Sequence, residues 1–186
     1  MPKRYLVMGN SGSGKSTLAR MLVRREGLAH LDLDALAWLP GRPPERRPLE
    51  SSQAEIQRFL TDASNWVIEG CYADLIAPLL PEATAMRFLN PGIETCVAHC
   101  RRRPWEPHKY ASQAEQDANL EFLVNWVRGY ETREGPLSLQ AHRALFDAFQ
   151  GDKKEICDPQ AWREFPEKLA WGTLSGNFPI DTGRGG

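Results

Sequence analysis

The residues with the clearest chemistry stand near the start of the chain: Gly9, Asn10, Ser11, Gly12, Ser13, Gly14, Lys15, Ser16 and Thr17. They fit the pattern G-x-x-x-x-G-K-[ST], a phosphate-binding loop. The glycines leave a bare backbone whose successive N–H groups converge on phosphate oxygens. A helix beginning after Gly14 adds partial positive charge and unpaired donors. Lys15 supplies a full charge for β- and γ-phosphates, and the Ser16 hydroxyl suits Mg2+. The expected ligands are therefore ATP, or a similar triphosphate, and Mg2+. The loop does not say what becomes of the triphosphate.

Carboxylates supply the next candidates. Residues 28–33, Leu-Ala-His-Leu-Asp-Leu, read as a strand running into Asp34, with apolar positions alternating with His30, Asp32 and Asp34. A strand buried on both faces carries no free carboxylate along its length, so the acids belong at its C-terminal end, where open parallel sheets bind ligands. Asp32 and Asp34 are two apart and point the same way if the extended geometry persists. The competing reading is that Asp34 caps the next helix. Glu69 ends a third strand, 66–68, beside Gly70. It is placed either to organise Mg2+ or to cap the helix that follows.

Two arginine groups could meet phosphate. Arg42, Arg46 and Arg47 lie in a proline-broken stretch, 36–48, that no regular helix can occupy. They read equally as a clamp on an anionic acceptor and as a solvated loop. Arg101, Arg102 and Arg103 close a helix ahead of a polar, aromatic-spiked segment, 105–117, with His108, Lys109 and Tyr110. A flap that carries cations over a triphosphate has this composition, although a helix C-terminus attracts cations on its own account.

The elements that must position these groups follow from the pattern. Residues 5–8 form a short apolar strand before the loop, and 17–26 a helix with Leu18, Met21 and Leu22 on one face. A helix over 49–63 turns Ile56, Phe59 and Leu60 inward, and a short one over 73–80 stops before Pro81. A fourth strand spans 84–89, and Pro91 opens a helix through Arg103. The stripe Leu120, Leu123, Val124 and Val127, widened by Phe122, Trp126 and Tyr130, predicts a helix over 119–134. Ser138 caps a helix over 139–150, residues 154–157 form a fifth strand, and Pro159 starts a last helix to about Trp171. One domain over 1–172 is expected, with 173–186 a glycine-rich loose tail. Strands alternating with helices imply a parallel sheet covered on both faces.

Bulk composition narrows the function. The 186 residues suffice for one domain with a real core, and 41% hydrophobic with 25% charged residues is ordinary for a soluble protein. With 23 basic against 24 acidic residues the net charge is −1, so no basic field favours nucleic acid as partner. The sequence carries no membrane-spanning run and enters a strand at once, which points to the cytoplasm. Cys71, Cys96, Cys100 and Cys157 show no C-x-x-C spacing and read as reduced thiols. Cys96, His99 and Cys100 read as a half-buried helix face rather than a metal site, since no second ligand cluster accompanies them.

Taken together, the loop, Asp32-x-Asp34, the run Trp66-Val67-Ile68-Glu69-Gly70-Cys71-Tyr72 and the arginines before the flap resemble the adenylate-kinase-like small-molecule kinases. The likeness is strongest to the subgroup called DNA topology modulation or adenylate-kinase-related proteins, and covers residues 3–171. The resemblance implies an α/β, three-layer P-loop NTPase fold with a five-stranded parallel sheet in the order 2-3-1-4-5. It implies an acceptor-binding insertion at about 35–65 and a lid at about 103–117. It implies that Ser16, Asp32 and Glu69 hold hydrated Mg2+, and that Asp34 faces the acceptor, as the second acid does in the similar shikimate and gluconate kinases. One departure matters. Adenylate kinases carry Asp-Gly-Phe-Pro-Arg after the third strand, where this chain has Glu69-Gly70-Cys71-Tyr72-Ala73. The arginine that grips an acceptor phosphate is gone, unless Arg42, Arg46 or Arg47 replaces it. The implied function is Mg·ATP-dependent transfer of the γ-phosphate to a small hydroxyl or phosphate acceptor, nucleoside- or nucleotide-like, with Lys15, Asp34, Arg101 and Arg103 as the catalytic set. The rival reading is an ATP-binding regulatory switch, related to DNA topology, with little catalysis of its own.

Overall fold

Strand and helix alternate along the chain in the computed structural model, which describes residues 2–39, 45–106 and 110–158. The elements are β1 (Arg4–Gly9), α1 (Lys15–Glu26), β2 (Ala29–Asp32), α2 (Asp34–Ala37), α3 (Leu49–Asp62), β3 (Trp66–Gly70), α4 (Ala73–Ile76), β4 (Ala85–Leu89), α5 (Ile93–Arg101), α6 (Gln113–Arg128), α7 (Leu139–Ala148) and β5 (Asp152–Ile156). Short 3-10 turns extend α4 over Ala77–Leu79 and α6 over Gly129–Glu131. The five strands pair in the order β2-β3-β1-β4-β5, every pair parallel, as the resemblance implies.

The period-2 alternation of strand side chains decides which residues meet which helices. Leu6, Met8, Trp66, Ile68, Met86 and Phe88 project to one face and form the larger core with Ile56 of α3, Leu75 and Ile76 of α4, and Phe149. Val7, Val67 and Leu89 project to the other face and pack on Leu18, Ala19 and Leu22 of α1. Helices on both faces make three layers. A satellite cluster joins Cys96, Val97 and Cys100 of α5 to Val124 and Val127 of α6. Burial at this density gives each inward aliphatic side chain about 1.5–3 kcal/mol.

Among the boundaries that differ from the sequence reading, three have a clear local reason. β2 ends at Asp32 rather than Leu33, because Leu33 turns into the helical region at φ −66°, ψ −18° and the Asp32 carboxylate takes the Asp34 N–H at 2.9 Å. The extended geometry that would aim Asp32 and Asp34 the same way is therefore broken between them. α5 starts at Ile93, not at Pro91, because Gly92 sits at φ +88°. α6 starts at Gln113 rather than at residue 119: the Ser112 hydroxyl accepts the Glu115 N–H at 3.2 Å and the Glu115 carboxylate takes the Ala111 N–H at 2.8 Å, a capping-box arrangement. Arg42, His108, Lys109, the helix expected from Pro159 and the tail lie outside the described residues.

Candidate active site

The loop between β1 and α1 is built as a cradle. Gly9, Gly12 and Gly14 all have positive φ, and Gly14 is the residue on which α1 begins. Gly12 shows why no side chain fits. A Cβ there would run into the Cys96 carbonyl oxygen and stand 2.8 Å from Cys100 Sγ. The loop lies directly on α5.

Other residues lock it in place. His99 Nδ1 donates to the Gly12 carbonyl at 2.8 Å, so Nδ1 carries the proton. Asn10 is buried; its Nδ2 donates to the Val127 carbonyl of α6 at 3.0 Å and its Oδ1 accepts the Ser11 N–H at 2.8 Å. Ser13 N–H closes the turn on the Asn10 carbonyl at 3.2 Å. The Lys15 ammonium donates to that same carbonyl at 2.9 Å and so arches over the loop. Thr17 stands on the first turn of α1, exposed, with its N–H on the Gly14 carbonyl. The anchoring roles of Asn10 and His99 are not visible in the sequence. Their partners are 117 and 87 residues away.

Register places the carboxylates. Asp32 pairs with Glu69 across β2 and β3, and Val7 pairs with Glu69 across β1 and β3. Neighbours at one height in a parallel sheet point to one side, and Val7 belongs to the α1 face. Asp32 and Glu69 therefore point to the start of α1. There Ser16 Oγ donates to Glu69 Oε2 at 3.0 Å, and His30 Nε2 lies 3.3 Å from Glu69 Oε1. Glu69 is only 1% exposed, yet Oε1 receives no hydrogen bond; the His30 approach has the distance but not the direction. A buried carboxylate oxygen in that condition is costly unless something further coordinates it. The set Ser16, Glu69 and Asp32 fits Mg2+, which keeps most of its water and takes only one or two carboxylates. Among the described residues no group of three or more His, Cys, Asp and Glu could hold a metal ion by itself.

Asp34 serves a different wall. Tyr72, just beyond β3, donates its hydroxyl to Asp34 Oδ1 at 2.7 Å, and Trp38 Nε1 donates to the Tyr72 oxygen at 2.7 Å. Burial raises the Tyr72 pKa far above that of a free phenol, so the hydroxyl stays protonated and remains a donor. Arg46 sits over both rings, 5.6 Å from the Trp38 centroid and 5.0 Å from that of Tyr72, and pairs with Asp74 at 2.9 Å. An antiparallel bridge between Trp38 and Arg46 holds this arm together. Arg47 reaches Glu55 at 3.5 Å. Arg46 and Arg47, two of the three arginines that read equally as a clamp and as a solvated loop, are thus engaged with carboxylates of α4 and α3.

Cys71 is the meeting point of the two walls. Burial pushes its thiol up to about 11, while Lys15, Asp34 and Arg133 all act on it electrostatically. Its carbonyl accepts from His142 Nε2 at 3.0 Å. With Nε2 donating, His142 Nδ1 accepts from the Tyr130 hydroxyl at 2.6 Å, a neutral ring. Fully buried, His142 has its pKa pulled down to about 4 by desolvation. This chain of Tyr130, His142 and the Cys71 carbonyl fixes the turn that carries Tyr72.

The arginines after α5 separate. Arg103, two residues beyond α5 and half-buried, pairs with Glu106 at 3.1 Å; burial alone would lower its pKa, but Glu106, Cys100 and Asp34 raise it overall. Arg102 turns back to the Ala98 carbonyl, and Arg101 is exposed with Glu121 of α6 as its partner at 3.9 Å. Arg103 feels the Asp34 charge, whereas Arg101 faces α6 through Glu121.

No protein-family model matches this chain, and no curated protein matches it. Solved structures do match. A gluconokinase from Sinorhizobium meliloti superposes with a TM-score of 0.51 at 19% identity, covering 87% of this chain and 86% of that one. A sugar kinase from Janibacter sp. gives a TM-score of 0.46 at 18% identity, over 87% and 90% of the two chains. The chain shares the fold of the gluconokinase; identity this low carries the fold and nothing finer. Among the described residues no helix is long and apolar enough to cross a membrane.

Proposed function

We propose that this protein is a Mg·ATP-dependent phosphotransferase that moves the γ-phosphoryl group to a hydroxyl of a small acceptor. The observation that carries the reading is that two walls meet on either side of Cys71: Glu69 takes the Ser16 hydroxyl, beside Lys15, at 3.0 Å, and Tyr72 holds the Asp34 carboxylate at 2.7 Å. A nucleotide-binding switch needs the first wall only.

The roles follow from position. The loop N–H groups and Lys15 bind and orient the β- and γ-phosphates, and Lys15 stabilises charge as it develops on the transferring group. Ser16, Glu69 and Asp32 hold Mg2+, which when bound neutralises phosphate charge. Asp34 orients the acceptor hydroxyl for in-line attack. As the new P–O bond forms and the bond to the departing ADP oxygen breaks, the hydroxyl proton passes to the Asp34 carboxylate. Tyr72 keeps that carboxylate in one rotamer. Arg103 is the candidate to supply a second cation, and the lid expected at about 103–117 would close to exclude water. Arg101 takes part only if that closure releases it from Glu121.

This reading keeps the adenylate-kinase-like resemblance and extends it to the topology-modulation subgroup on the strength of Asp32-x-Asp34 and the run from Trp66 to Tyr72. The gluconokinase whose fold the chain shares adds support for a hydroxyl acceptor. The cytoplasm is the expected location.

The test is ATP consumption with Mg2+, first alone and then with hydroxy acids, sugars, nucleosides, nucleoside monophosphates and 5′-hydroxyl oligonucleotides. Acceleration by one class well above the acceptor-free rate supports transfer. Tight ATP binding with a rate that no acceptor changes supports the switch instead.

A further inference from the structure

One side chain outside the loop decides which way a peptide of the cradle faces. His99 is half-buried on the last turn of α5, and its Nδ1 donates to the Gly12 carbonyl, 87 residues away, at 2.8 Å. The same turn closes on Gly12 with two more atoms: a Cβ there would strike the Cys96 carbonyl oxygen and stand 2.8 Å from Cys100 Sγ. Cys96, His99 and Cys100, which share one helix face, are thus the seat on which the loop rests. The lid root starts from that turn as well. The Arg102 N–H bonds to the Ala98 carbonyl at 3.2 Å and the Arg103 N–H to the Cys100 carbonyl at 3.3 Å.

The direction of this peptide matters for phosphate. A trans peptide sets its C=O and the next N–H on opposite sides of one plane. With the Gly12 carbonyl held toward α5, the Ser13 N–H is turned away from α5 and closes on the Asn10 carbonyl at 3.2 Å. That carbonyl also receives the Lys15 ammonium at 2.9 Å. Gly12 stands at φ +79°, and no Cβ restricts the plane that follows it. The plane therefore needs a hold from outside the loop. Were it to swing, a carbonyl oxygen would face the space meant for phosphate oxygens, and the run of N–H groups would be broken.

We infer that His99 is a positioning residue for the triphosphate: its Nδ1–H holds the Gly12–Ser13 peptide with the carbonyl outward, which keeps the cradle's N–H groups directed at the β- and γ-phosphates. It acts through Gly12 and not by contact with the nucleotide. Because the hold is placed on the turn from which the lid root starts, the shape of the cradle and the origin of Arg103 are set by one piece of helix. The inference rests on the triphosphate-binding half of the phosphotransferase reading and is independent of the acceptor.

The experiment is isothermal titration calorimetry with Mg·ATP and with Mg·tripolyphosphate on the full chain and on His99→Leu, His99→Asn and His99→Gln, with thermal unfolding of each. The Asn amide nitrogen stands as many bonds from the backbone as Nδ1, whereas that of Gln stands one carbon further out. His99→Leu should weaken both ligands at least about tenfold and by the same factor. His99→Asn should return both to within about threefold of the wild type, and His99→Gln should stay near His99→Leu, although the Asn and Gln variants unfold at the same temperature. Histidine-selective 15N spectra of the wild type should place a proton on His99 Nδ1 with and without Mg·ATP. The inference is overturned if His99→Leu binds both ligands as the wild type does, if the Asn and Gln variants bind alike, or if Nδ1 carries no proton. It is equally overturned if only ATP is weakened and tripolyphosphate is not, which would assign the ring to the nucleoside. Should His99→Leu fail to fold, the Asn–Gln comparison and the wild-type spectra decide. A wild type that binds neither ligand overturns this inference together with the triphosphate reading. One that binds both, with His99→Asn and His99→Gln dividing as expected while no acceptor speeds ATP loss, supports the inference and overturns phosphoryl transfer alone.

Discussion

The phosphate cradle and the acceptor wall meet at Cys71, yet they are made in opposite ways. The cradle is backbone: three glycines at positive φ, N–H groups at the start of α1, and Lys15 within one continuous run of nine residues. The acceptor wall is side chain: Asp34, Trp38, Arg46, Tyr72 and Asp74, tied by hydrogen bonds and a stacked guanidinium across three separate stretches. The difference has a physical basis. Phosphate is the same in every nucleotide, so a fixed backbone shape serves. An acceptor is particular, so its wall is built from groups that can be exchanged one at a time.

If the two walls are separable in this way, substitutions should divide them. The largest effect is expected at Lys15. Lys15→Met removes a charge made for the transferring group, and kcat should fall by about 10²–10³, roughly 3–4 kcal/mol. A steady-state assay showing unchanged ATP turnover would contradict the role.

Next in size is a pH effect confined to the acceptor side. His142 is neutral in the fold and its pKa is held at about 4, below the usual 6.5 for histidine. A depressed pKa means the unfolded chain binds the proton more readily. Stability is therefore fully present above pH 6.5 and is lost as pH falls toward 4, by about 3 kcal/mol in all. Urea unfolding at pH 7 and pH 4.5 should show a steeper loss for the wild type than for His142→Gln, which keeps polar contacts without titrating. Equal losses would mean that the ring is not buried neutral.

Gly12→Ala probes the cradle alone. The added methyl meets the Cys96 carbonyl and Cys100 at a φ of +79°, so about 1–3 kcal/mol of stability should go. Thermal unfolding measures this, and Mg·ATP affinity should fall with it while the Tyr72–Asp34 contact is untouched. An unchanged Tm would show that α5 does not buttress the loop. The smallest effect belongs to Tyr72→Phe, which removes one hydrogen bond to Asp34 and leaves the Trp38 N–H unpartnered. A loss of about 1 kcal/mol, roughly fivefold in acceptor-dependent kcat/KM, is expected with Mg·ATP affinity unchanged. A drop in ATP affinity instead would blur the division between the walls.

How much of this was legible in the sequence follows the same division. The nine-residue loop and the apolar run of residues 5–8 are local patterns, the strand order 2-3-1-4-5 is what the resemblance implies, and all are present in the fold. The apolar stripe begins only at Leu120 and points to a start of α6 near residue 119, six residues past the true one, which Ser112 and Glu115 mark. Asp34 was picked out as a carboxylate near a sheet end, but nothing local says that Tyr72, 38 residues away, holds it. Arg46 and Arg47 looked available because sequence shows charge and not pairing; Asp74 and Glu55 had to be folded against them first.

The central claim, two walls that jointly transfer a phosphoryl group, is tested most directly at Asp34. ATP consumption is measured for wild type and Asp34→Asn, with and without the acceptor that most accelerates the wild type, alongside Mg·ATP affinity. The account predicts acceptor stimulation in the wild type, its loss in Asp34→Asn, and one ATP dissociation constant for both. Stimulation that survives in Asp34→Asn, or a wild type that binds ATP and ignores every acceptor, would contradict it.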